Sequence, residues 1–173
     1  MSVASSDIKV RYSTVAGSAG NSGAGTAAGS LGKYMSQTDA SGSANVFFDD
    51  VNSSEASAGD VEYRCLFIYN SHSTDSAANV AVQVVSEVSG GGSTQAALDN
   101  IATSAANSAS AQAAQIADEN SAPSGVGSFG TGALSIGTLA AGQCKAVWLK
   151  RTVGASTAAM TGDGFTLRVT GDG

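Results

Sequence analysis

The 173-residue chain has one proline, two cysteines, one histidine and one tryptophan, and only 13% of its residues are charged. Each scarcity removes a class of chemistry. A zinc site wants about four His or Cys ligands, and Cys65, Cys144 and His72 are far apart in sequence and one short of that number. Eight basic residues against fourteen acidic ones leave a net charge of −6, the opposite of the basic footprint that nucleic acid demands. No apolar run reaches membrane-spanning length. The N-terminus, Met1-Ser-Val-Ala-Ser-Ser-Asp7, lacks the charged and hydrophobic regions of a signal peptide, so a chain kept in a cytoplasm during assembly is expected. Aromatics make up 6% of residues, which is lean for a sugar-binding cleft.

Ala, Ser and Gly together approach half of the chain, and their side chains bury little apolar area each. The core must rest on a few larger residues: Ile8, Val10, Tyr12, Val46, Phe47, Phe48, Tyr63, Leu66, Phe67, Ile68, Val80, Val82, Val84, Trp148, Phe165 and Leu167. At roughly 1.5–3 kcal/mol for each fully buried side chain, this supports one layered domain and no second. Residues 31–173 are expected to form it. Residues 1–30 precede it as an N-terminal strand and a Gly/Ala/Ser-rich arm.

The periodicity is that of strands. Ile8, Val10 and Tyr12 alternate with Lys9, Arg11 and Ser13, and Val80, Val82 and Val84 alternate with Ala81 and Gln83. Val61–Tyr69 is apolar on both faces, as a central strand covered on both sides should be. Asn45–Phe48, Leu134–Leu139, Gln143–Val153 and Gly164–Thr170 read as further strands, the last two as a closing hairpin. Thr94–Asn120 is ambiguous, with either weak strands at Ala96–Ala102 and Ala111–Ala117 or a helix. Its only apolar residues larger than Ala are Leu98, Ile101 and Ile116, too few for a helical stripe. The expected fold is all-β, an antiparallel sandwich of immunoglobulin-like or jelly-roll type with an extended N-terminal arm.

Chemistry-bearing groups are sparse. His72 lies in a polar loop with Ser71, Ser73 and Asp75, but triad partners normally converge from separate segments, and a solvated loop histidine is the expectation. Asp49, Asp50, Glu55 and Asp60 share one loop-rich stretch that offers oxygen ligands to calcium, without the EF-hand spacing; a solvated acidic loop is the plainer reading. Cys65 and Cys144 fall in strands, where two buried thiols are favoured over a bridge between sheets. Trp148 reads as core. Lys145, Lys150 and Arg151 flank it, either as partner contacts or as the solvent face of a strand. Gly20, Gly23 and Gly25 in the arm are the other partner-contact candidates, because ordering glycine-rich backbone is costly and a partner would offset that cost.

Three pieces of sequence carry a resemblance. They are Phe48-Asp-Asp-Val51 with Ala58-Gly-Asp-Val-Glu-Tyr-Arg-Cys65, then Ile116-Ala-Asp-Glu-Asn-Ser-Ala-Pro-Ser-Gly-Val126, and Ile136–Val153 with Phe165–Gly171. In this order the chain resembles a family of small tailed-bacteriophage virion proteins with an immunoglobulin-like or jelly-roll sandwich. The resemblance runs from about Leu31 onward and brings no catalytic residue, cofactor or small-molecule substrate. It implies a non-enzymatic capsid decoration or cement protein on the capsid exterior, assembled in the host cytoplasm. Its partners would be the major capsid protein and copies of itself, as a trimer, with no nucleic acid or membrane. A tail, baseplate or head-fibre component and a carbohydrate-binding sandwich module are the alternatives.

Overall fold

A computed structural model describes residues 2–16, 23–42, 45–158, 160 and 162–173. Among these residues, a 3-10 turn at Ser5–Asp7 is followed by nine strands and one short α-helix: β1 (Ile8–Thr14), β2 (Tyr34–Asp39), α1 (Ser53–Ala58), β3 (Asp60–Asn70), β4 (Ala77–Val85), β5 (Ser93–Leu98), β6 (Ser104–Ala105), β7 (Leu134–Leu139), β8 (Gln143–Val153) and β9 (Thr166–Asp172). They form two antiparallel sheets. The larger is ordered β2-β1-β3-β8-β5, with β6 also on β8, and the smaller is β7-β4-β9. The fold is an all-β sandwich.

The alternation along β3 and β8 decides what lies on each side of the larger sheet. Leu66, Ile68, Val147 and Leu149 face the small sheet and meet Val80, Val82 and Val84 of β4. Tyr63, Cys65, Phe67, Cys144, Ala146 and Trp148 face the other way, into a second core with Met35, Ala106, Ala113 and Ile116. The sheet is thus buried on both faces, but by different means. One cover is a sheet; the other is the irregular chain between β5 and β7.

That irregular cover replaces the strand-or-helix alternatives for Thr94–Asn120. β5 forms, but Ala111–Ala117 is neither a helix nor a ladder strand, and Gly32–Gln115 is an isolated bridge. The segment is tied down by backbone and side-chain bonds. Lys33 N–H donates to the carbonyl of Ala114 (3.1 Å), and Ile116 N–H to that of Leu31 (3.1 Å). Gln112, 2% exposed, accepts from Met35 N–H (2.8 Å) and donates to the carbonyl of Ala105 (2.8 Å). Gly32 lets the two chains touch: its φ is +92°, and a Cβ there would stand 1.9 Å from the Ala114 carbonyl oxygen.

Asp99, 1% exposed at the end of β5, pins the cover to the sheet. One carboxylate oxygen accepts from Trp148 Nε1–H (2.9 Å) and Ala114 N–H (2.8 Å), and the other accepts from Ile101 N–H (2.8 Å). Trp148 is fully buried, as its reading as core requires.

Several expectations change. Gln143–Val153 and the strand after it are not a hairpin: β8 lies at the centre of the larger sheet between β3 and β5, while β9 pairs with β4 in the smaller one. Asn45–Phe48 is not a strand, because its phenylalanines point into a loop cluster rather than a ladder. β2 went unread because Tyr-Met-Ser-Gln-Thr-Asp carries little apolar alternation, yet Ser36 is fully buried there. β1 sits between β2 and β3, so the N-terminal strand belongs to the main sheet.

Gly20 lies outside the described residues. Residues 23–30 of the arm lie against their own chain. The Gly23 carbonyl accepts from Gln37 N–H (2.9 Å), and Gly25 N–H donates to Thr38 Oγ1 (3.1 Å). A Cβ on Gly25 would come within 2.4 Å of Ser36 Oγ and 2.8 Å of Tyr12 Cβ. These contacts tie Gly23 and Gly25 to β1 and β2 of their own chain.

Both cysteines are free, buried and on one face of one sheet, which removes any bridge between sheets. Burial raises the Cys65 thiol well above its ordinary range and pushes Cys144 up to about 11. Ellman's reagent should therefore find no reactive thiol in the native protein and two after unfolding without reductant; none after unfolding would reveal a bridge. Asp99→Ala, which orphans the Trp148 and Ala114 donors, should destabilise the fold by roughly 2–5 kcal/mol in urea titration. A loss within about 0.5 kcal/mol, the range of an ordinary surface change, would remove Asp99 as the pin.

Candidate binding groove and its ionic floor

The residues that sequence reading singled out divide between three places. At one end of the sandwich, the loop after β2 carries Phe47, Phe48 and Asp49 against the loop leading into β9. Phe47 stacks on Phe165 with ring centroids 5.6 Å apart, and Phe48 tilts against Phe165 at 6.3 Å. With the turn between β4 and β5 they line a groove of about 700 Å³.

Beneath this groove lies an ionic cluster supplied by β3 and β8. Register places Glu62 opposite Arg151, and Arg64 follows on the same face of β3. Arg151 Nε donates to Glu62 Oε2 (2.5 Å), its Nη2 pairs with the same carboxylate, and its Nη1 donates to the Asp49 carbonyl (2.6 Å). Arg64, only 1% exposed, pairs through Nη2 with Glu119 and lies 3.6 Å from Glu62 Oε1 and 3.7 Å from Asp49 Oδ1. Both guanidinium groups sit over the Phe48 ring, at 5.6 Å for Arg64 and 4.9 Å for Arg151. Arg151 thus has its partners within the chain, and the strand alternation places Lys150 on the opposite face of β8. The three basic residues do not form one patch.

Three carboxylates meet here, with one oxygen each from Asp49, Glu62 and Glu119 within 4.8 Å of one another. Two arginines already supply the positive charge between them, which is what a cation would otherwise bring. The four calcium candidates do not converge. Only Asp49 joins this cluster; Asp50 is exposed on the groove rim. Glu55 completes a capping box, accepting from Asn52 N–H (2.8 Å), and Asp60 Oδ1 accepts from Asn120 Nδ2 (2.8 Å).

At the opposite end, His72 is largely buried rather than solvated, with 13% of its side chain exposed. Its Nδ1 accepts from the backbone N–H of Thr74 (3.2 Å) and Asp75 (2.9 Å), so the imidazole shapes the turn between β3 and β4. A nitrogen bound by two donors is not the general base of a nearby serine. Lys145 lies on β8, where its Nζ donates to the carbonyls of Asp99 (2.7 Å) and Ile101. Burial lowers its ammonium from the ordinary value, and nearby Asp99 opposes that shift.

Sequence reading missed Glu62, Arg64, Asp99 and Glu119. Charged residues inside the apolar run Val61–Tyr69 were the available signal for the first two. Nothing in the sequence links Asp99 to Trp148, 49 positions away. No family model, curated protein or solved structure matches this chain. Fold and site define an antiparallel sandwich with an aromatic groove at one end, floored by a cluster in which two arginines bridge three carboxylates.

Glu62 carries the testable electrostatics. Its desolvation raises the carboxyl above the ordinary 4.5, against the lowering effect of Arg151 and Arg64. A carboxyl that keeps its proton longer when folded loses that stabilising contribution as pH rises through its folded value. The stability of wild type relative to Glu62→Gln should fall as pH is raised from 4.5 through the elevated value, measured by thermal melts. The opposite slope would mean that the arginines outweigh desolvation.

Proposed function

We propose that this chain is a non-enzymatic structural protein that works by assembly, as a decoration or cement protein on the outside of a tailed-phage capsid. The observation that carries this reading is how the ionisable side chains inside the fold are used. Asp99 and Lys145 fasten the irregular cover, Glu62 pairs with both Arg64 and Arg151, and His72 shapes a turn. Each is held by fixed partners, which suits a rigid scaffold whose function lies in its surface. The family resemblance supplies the virion, the major capsid protein as partner, and self-association as a trimer.

A second reading, adhesion by a tail, baseplate or head-fibre module, draws on the groove, since loops at one end of a sandwich are where such modules bind. Carbohydrate stacking on Trp148 has no support, because that ring is fully buried.

Purified protein mixed with expanded empty capsids of the phage that carries this gene should co-sediment with them and raise their melting temperature. Failure to bind capsids, with gold label on tails in electron micrographs, would transfer the role to the second reading.

A further inference from the structure

Above its ionic floor the groove has an aromatic lining and an acidic rim. Phe47 and Phe165 are only partly buried, whereas Phe48 beneath them is 6% exposed and sealed by the arginines. Rim and walls carry Asp49, Asp50, Glu87 and Asp163 against a single cation, Arg151. That leaves a formal charge of −3 on these lining residues. Arg151 enters that count but adds little positive charge to the open rim, because its Nε and Nη2 both pair with Glu62 below the groove and its side chain is 11% exposed. Asp49 is 68% exposed, and Asp50 is exposed beside it.

Glu87 and Asp163 have a further task. Asp163 Oδ2 accepts from Gly92 N–H (2.8 Å), and Glu87 Oε1 accepts from Thr94 N–H. The turn is packed so closely that a Cβ on Gly91 would lie 2.1 Å from the Asp163 carboxyl carbon. These bonds fix the acidic wall to the turn between β4 and β5.

We propose that this groove docks an extended segment of another protein that carries lysine or arginine beside an apolar side chain. The apolar side chain would cover the Phe47–Phe165 stack, and the cation would lie against Asp49 and Asp50. Charge complementarity selects this occupant over any anionic one, and a volume of about 700 Å³ accommodates a few side chains of such a segment. The inference is independent of where in a particle the protein resides.

The test is fluorescence anisotropy with two labelled peptides, Lys-Phe-Lys-Leu-Lys and Glu-Phe-Glu-Leu-Glu, at low and high salt. The lysine peptide should bind, and more weakly at high salt; the glutamate peptide should not. Asp50→Lys, an exposed change that leaves the packed floor intact, should weaken binding at least about fivefold. The same change in charge made at the far end, Ser73→Lys with Ser76→Lys, should leave binding unaltered. Phe165→Ala should also abolish it, with circular dichroism checking the fold. The proposal is overturned if both peptides bind equally, if the far-end variant weakens binding as much as Asp50→Lys, or if only a neutral oligosaccharide binds.

Discussion

The carboxylate of Asp99 is the point on which half of this structure depends. A strand-rich chain in which Ala, Ser and Gly approach half of all residues covers one face of its six-stranded sheet with a second sheet and the other with irregular chain. The side facing β4 is covered by valines and leucines in the ordinary way. The other side is covered by backbone, and backbone needs its polar groups satisfied. Asp99 satisfies Ile101, Ala114 and the Trp148 indole together, and Gln112 does the same for the next stretch. A buried polar network replaces the missing apolar area.

The far end follows the same economy with charges. Glu62 and Arg151 face each other across β3 and β8, and Arg64 links them to Asp49 and Glu119 in loops that would otherwise be loosely held. The result is a firm base beneath Phe48 and a groove whose remaining exposed charge is negative. One cluster thus serves both stability and surface chemistry: it fastens the loops, and by consuming the basic residues it leaves an acidic rim.

Strand cores were legible wherever large side chains alternate. β7 and β8 fall at the residues the pattern indicates, Leu134–Leu139 and Gln143–Val153, and the β4 valines face inward as expected. The pairing of those strands was not legible. Adjacent strands were read as a hairpin, although β8 and β9 belong to opposite sheets, because alternation reports which face is buried and not which neighbour bonds. α1 had a readable signal in Asn52 and Glu55, three positions apart, which form its capping box. The irregular cover had none. Its anchors, Asp99 and Gln112, reach Ala114, Trp148 and Met35 across 15, 49 and 77 positions, and no local pattern encodes such contacts. The candidate site was half legible: the acidic stretch from Asp49 was visible, but the arginines that neutralise it come from strands that meet it only in space.

The central claim is that the cover from Asn100 to Gly130 is held as firmly as a strand layer despite forming almost no ladder. Native-state hydrogen exchange measures this directly. The amides of Ile101 and Ala114, bonded to Asp99, and of Met35, bonded to Gln112, should exchange only through global unfolding, as slowly as those of Leu66 and Val147 in the sheet centre. Exchange of Ile101 and Ala114 at loop rates, with β3 and β8 still protected, would contradict the account.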